Sequence, residues 1–184
     1  MSGRWVAALT LAGLAGLAGL AGCASSGSSA GGAHITSVST SGSVGSPTIT
    51  VLGSGFGAMP AAQPASAPQG QQGCPSAPAQ GDGSLYGTDL YLSDLAASHG
   101  SYKNWTAGEY TTGSNGQFDC VGLIISSWSP TQVVFGFGNL YGKLIPQNTY
   151  FMSNGDTFKV WVRGASTTAS ASLTGTPNAP APTQ

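Results

Sequence analysis

Charged side chains, histidine and cysteine are all scarce in this chain of 184 residues, and each scarcity removes a class of function. Lys and Arg number five and Asp and Glu six, together 6% of the sequence, and they are scattered. Without a basic stripe nothing neutralises a phosphate backbone, so no nucleic-acid partner is expected. The two histidines are His34, beside a Gly/Ser-rich stretch, and His99, within the polar "AASHGSYKNW". Neither has a carboxylate and a nucleophile arranged near it in sequence, and serine is so abundant that any Ser/His/Asp selection would be arbitrary. An enzyme is therefore not expected. The three cysteines include no C-x-x-C pair and no neighbouring histidine, which argues against a metal site at the thiols. Asp89, Asp94, Asp119 and Asp156 read as turn and cap residues. A calcium site built from two or three of them is the rival reading, but no D-x-D-x-D-G loop supports it. No metal and no cofactor are expected.

What is present begins with an export signal. "MSGR" supplies one positive charge, and "WVAALTLAGLAGLAGL" follows as an uncharged run rich in Ala and Gly. The run ends in Leu20-Ala21-Gly22-Cys23 rather than in a basic stop-transfer cluster, so it reads as a secretory signal and not as a membrane span. "LAGC" resembles the bacterial lipobox. That resemblance implies removal of residues 1–22, acylation of Cys23 as the new N-terminus, and a mature domain held at the outer face of the membrane, where more than one acyl chain gives stable attachment. The mature chain then has 162 residues and a net charge of −2. With Cys23 assigned to lipid, Cys74 and Cys120 remain as an even pair in an exported protein, and a disulfide is expected between them. The loop it closes spans 46 residues, for which the chain-entropy model gives on the order of 4 kcal/mol.

Composition separates a globular part from three soft ones. Residues 23–33 are the lipidated cysteine and a Gly/Ser-rich tether, which lets the domain stand off the bilayer. Residues 166–184 belong to a Ser/Thr/Ala/Pro-rich, uncharged stretch that reads as a disordered tail. The third is "AMPAAQPASAPQGQQGCPSAPAQGDGS", a Pro/Ala/Gln-rich insertion over 58–84 that the disulfide would pin through Cys74. The domain itself is placed at 34–165, and without the insertion it is about the size of one immunoglobulin-like sandwich.

The globular segments alternate as strands do, and nowhere does a charged amphipathic helix pattern persist for three turns. In "TFKVWVR", Phe158, Val160 and Val162 point one way, as core, while Lys159, Trp161 and Arg163 point the other. "TDLYLSD" sets Leu90 and Leu92 on one face, and "TQVVFGFG" sets Val133, Phe135 and Phe137 on one face. "VGLIISSW" is apolar on both faces through Ile125, as a central strand would be, and Ser129-Pro130 turns it into the next strand. Asn154-Gly155 signals a hairpin between "TYFM" and "TFKVWV". With "HITSVST" and "TITVL", about seven short strands result, and the fold class is all-β, a sandwich.

The stretch "TITVLGSGFGAMP" contains a G-x-G-x-x-A spacing, but a dinucleotide loop needs a helix to begin at the glycines, and Pro60, Pro64 and Pro68 follow instead. The glycines read as a strand exit through a bend, with Phe56 turned into the core. Together with the preceding residues this stretch resembles a family: "ITSVSTSGSVGSPTITVLGSGFG", Ile35 to Gly57, is similar to the opening of an IPT/TIG domain, and "ISSWSPTQVVF" and "GDTFKVWVRGA" are similar to later strands of it. Thr40 stands where the family often has proline, and the 27-residue insertion also departs from its pattern. The resemblance implies an immunoglobulin-like fold and a recognition or spacer role at a cell surface. It transfers no binding residue.

Recognition would then fall to exposed aromatic rings. Tyr102, Trp105 and Tyr110 crowd "SYKNWTAGEY", a segment without strand alternation, where flat apolar faces suit pyranose rings or proline-rich peptides. The competing reading is that one or two of these rings plug the end of the sandwich. Trp161, flanked by Lys159 and Arg163, is either a further binding ring or a cover for the outer face of its sheet. Trp128 is expected in the core. The expected function is a membrane-anchored, non-catalytic recognition or structural module, with carbohydrate or cell-wall binding as the alternative and a hydrolase a distant third. Its expected partners are the membrane, through the lipid, and a cell-wall glycan or surface protein.

Overall fold

The computed structural model of the chain describes residues 32–65, 79–95, 105–109, 121–142 and 152–176. Cys23, Cys74, Cys120, Tyr102 and Tyr110 lie outside the described residues, and with them the lipid, disulfide and two of the aromatic readings.

Among the described residues there are ten strands and no helix. They are β1 (His34–Ser43), β2 (Ser46–Ser54), β3 (Gln63–Pro64), β4 (Ser84–Leu85), β5 (Leu90–Asp94), β6 (Thr106–Ala107), β7 (Leu123–Ser129), β8 (Gln132–Phe137), β9 (Thr157–Val162) and β10 (Ala165–Ser170). Six form one sheet in the order β1-β2-β8-β7-β4-β3, and four form another in the order β10-β9-β5-β6. Neighbouring strands in both sheets are antiparallel. Both sheets feed one core. Ile49, Val51, Leu123, Val133 and Phe135 enter it from the first sheet, and Leu90, Leu92, Phe158, Val160 and Val162 from the second, all essentially without solvent contact. The period-2 alternation read from "TFKVWVR" and "TDLYLSD" is the direct cause, because each strand can bury only every second side chain on a sandwich's inner face.

Phe56 is fully buried, as its place between Gly55 and Gly57 predicted. Gly53 is required by close approach, since a Cβ there would run into the His34 carbonyl and the Phe56 ring. The amides that a pyrophosphate would need are already committed. Gly53 donates to the Thr131 carbonyl at 2.9 Å and Phe56 to the Pro130 carbonyl at 3.1 Å, which seals this end of the sandwich against the β7–β8 turn.

Three expectations are corrected. The chain does not leave the fold at residue 165. Arg163 and Gly164, with φ of 51° and 83°, make a two-residue turn of the kind that matches strand twist, and β10 then runs back along β9. Arg163 is held in this conformation by Asp89, whose Oδ1 lies 3.1 Å from Nη1, and by the Ala58 carbonyl, 2.7 Å from Nη2. Ala171 and Leu173 are buried, and Thr174 bonds back to the turn after β1, so the domain extends to at least residue 174. Secondly, the ends of the 58–84 insertion belong to the fold, with Ala65 and Asp82 buried and β3 paired to β4. Thirdly, β9 does not form a hairpin with "TYFM". Both its edges are taken, by β10 and β5, so the Asn154-Gly155 turn delivers the chain into β9 from Met152, which is irregular and buried.

Candidate functional site

Trp105 is not a binding ring. It precedes β6, is 3% exposed, and clamps Asp94 at the end of β5 from two directions. Its carbonyl accepts the Asp94 amide at 2.9 Å, and its Nε1 donates to Asp94 Oδ2 at 3.1 Å. The indole also meets Phe137 edge-on, with centroids 5.6 Å apart, and Tyr141 at 5.8 Å. This is the plug reading, and Asp94 is a buried partner of the plug rather than a turn residue. Asp156 does cap a turn, its Oδ2 accepting the Ser153 amide.

Trp161 lies on the outer face of the four-stranded sheet, directly across from Tyr91. The two rings stack with centroids 4.2 Å apart and planes 11° from parallel, and the Lys159 ammonium stands 4.7 Å over the indole. With a ring stacked on it and a cation over it, Trp161 keeps little bare face for a ligand. Arg163 does not join the stack but turns to Asp89 and Ala58. Burial raises the Tyr91 pKa above the ordinary phenol value, with the Glu109 charge adding to the effect. Trp128 is half-buried against the core, its Nε1 donating to the Gly57 carbonyl at 3.0 Å.

A groove of about 490 Å³ opens on the outer face of the six-stranded sheet. Its floor follows from the register. Gly136 of β8 pairs with Ile124 of β7, and the pairing of Ile49 with Phe135 puts Thr48 of β2 on its other side. The outward row across three strands is thus Thr48, Gly136, Ile124, with no side chain in the middle. A bulge in β7 between Ile125 and Ser127 leaves Ser126 unpaired beside this row, where its hydroxyl donates to the Val134 carbonyl at 3.2 Å. Phe137 and Tyr141, stacked at 4.4 Å, and the Asn139 side chain close one end.

Tyr141 fixes that end. Its hydroxyl donates to the Val44 carbonyl at 2.9 Å and accepts the Met152 amide at 2.7 Å, joining three separate segments. Burial raises its pKa far above the ordinary phenol range; the Asp94 and Asp156 charges push the same way, against the Met152 amide. Among the described residues no charged side chain lines the groove.

Sequence reasoning missed this groove, although a signal was present. In "TQVVFGFG" the face opposite Val133 and Phe135 reads Gln132, Val134, Gly136, and an outward glycine in a strand marks a place where something else approaches. In comparisons with known proteins, no family model matches the chain, and no curated protein or solved structure is significantly similar to it.

Proposed function

We propose that this protein is a non-catalytic recognition module of immunoglobulin-like, IPT/TIG type, displayed at the outer face of a bacterial membrane by lipid on Cys23. The observation that carries the reading is the placement of the groove relative to the tether. β1 begins at His34, where the tether ends, and its ten residues run roughly 33 Å to the Val44-Gly45 turn. Gly45 of that turn, and Ser46 and Pro47 just past it, border the groove. A chain anchored before residue 34 therefore holds its groove at the pole away from the membrane, as suits contact with a cell-wall glycan or a surface protein.

Two measurements test this. Metabolic labelling with a fatty acid should mark the wild type and not Cys23→Ser; equal labelling of both removes the anchor. On intact cells, a photocrosslinking residue at Thr48 should capture an extracellular component, while one at Ser54, beside the tether, should not. No capture from Thr48 removes the recognition role.

A further inference from the structure

We infer that the groove over Gly136 binds an uncharged saccharide; this rests on the recognition reading above and names its ligand class. The first ground is charge. Among the described residues the lining is neutral, so a carboxylate or ammonium on the ligand would lose hydration and find no counter-charge from them. The second is hydrogen-bonding character. Thr48 and Ser126 offer hydroxyls, which both donate and accept as sugar hydroxyls do, and Ser126 directs its own proton to Val134, leaving its oxygen as an acceptor.

Shape adds a third ground. Ile124, 45% exposed, gives apolar surface for the C–H face of a pyranose, next to polar groups that fix orientation. The volume of about 490 Å³ lies within the span of small-ligand sites, roughly 300–1,000 Å³. A peptide is the less suited occupant. β2 and β8 are paired along both edges beside the groove, so a peptide main chain could add only along β7, which β4 meets at Leu123 alone.

The test uses the mature chain kept in solution by Cys23→Ser, titrated with uncharged tetrasaccharides of glucose and of N-acetylglucosamine, a tetrasaccharide of glucuronate, and a proline-rich decapeptide. At least one neutral tetrasaccharide should saturate and move the amide resonances of Thr48, Ile124 and Gly136, with the uronate at least tenfold weaker. Ile124→Glu, at an exposed position, should weaken that binding at least tenfold without changing the melting profile. Gly136→Val should also weaken binding by filling the floor, at some cost in stability because its Cβ would stand 3.2 Å from the Pro47 carbonyl oxygen, whereas Trp161→Ala should leave binding unchanged. The inference is overturned if the uronate binds equally well, if the peptide saturates the groove instead, if Ile124→Glu has no effect, or if no saccharide binds. Should no saccharide bind while the Thr48 crosslinker still captures a partner, only the ligand class falls; if the crosslinker also fails, the recognition reading falls with it.

Discussion

The two sheets present outer faces built on opposite plans. On the four-stranded sheet, Tyr91, Trp161 and Lys159 form a layered stack, and Arg163 pairs with Asp89 at its margin. On the six-stranded sheet, the row Thr48, Gly136, Ile124 has a hydroxyl, a gap and an alkyl chain, with no charge bordering it among the described residues. Rings and cations that satisfy one another leave little face for a third party. A missing side chain between two small walls leaves room. Aromatic content is thus a poor guide to where this surface leaves room, and a strand glycine facing outward is a better one.

The largest effect that would break this contrast is at Trp105. If the plug and the surface stack are different in kind, Trp105→Ala should cost about 3–5 kcal/mol in denaturant melts, the range for emptying a large buried aromatic site. The loss also removes the indole Nε1 hydrogen bond from the buried Asp94 carboxylate. A loss below about 1 kcal/mol, outside that range, would mean the ring is not structural.

Tyr141 gives the next effect and sharpens the contrast from the groove's side. Removing its hydroxyl in Tyr141→Phe leaves the Val44 carbonyl and the Met152 amide without it, a cost of about 1–3 kcal/mol for stranded buried groups. The pH dependence follows from the raised pKa. Because the folded state holds the phenol proton more tightly than the unfolded chain, the contribution is fully present below the ordinary value of 10.0 and is lost as pH rises above it. The slope from one such group is at most about 1.4 kcal/mol per pH unit. Stability should therefore fall above pH 10, and Tyr141→Phe should fall less steeply. Identical alkaline slopes would show that Tyr141 is not the group responsible.

The sandwich was legible where residues alternate strongly. Phe158, Val160 and Val162, or Leu90 and Leu92, have no other way to leave water in an extended chain. β10 was not legible, because "ASTTAS" half-buries only Ala165, Thr167 and Ala169 and gains its place from the Arg163-Gly164 turn and from β9, neither of which its own composition reports. The groove was hidden for a different reason. It depends on which residues of β2 and β7 flank Gly136, and that register is a tertiary fact, set partly by the bulge at Ser126. The burial of Trp105 likewise depends on a carboxylate eleven positions away in sequence that faces inward from β5.

The smallest expected effect is at Trp161, and it is the one that separates a covering stack from a binding ring. The indole is half-buried, so its removal forfeits the stacking with Tyr91 and the cation contact with Lys159 but opens no cavity in the core. Aromatic pairs contribute about 0.5–1.5 kcal/mol beyond area, and an exposed cation over a ring about 0.5–1 kcal/mol. Trp161→Ala should thus cost on the order of 1–2 kcal/mol, well below Trp105→Ala. In a double-mutant cycle, Lys159→Ala should cost less in the Trp161→Ala background than in the wild type, because the ring it rests on is gone. Additive losses would show that the ammonium gains nothing from the ring. In that case the indole face over which it stands would be open to exchange, and the four-stranded sheet would regain its claim as a binding surface.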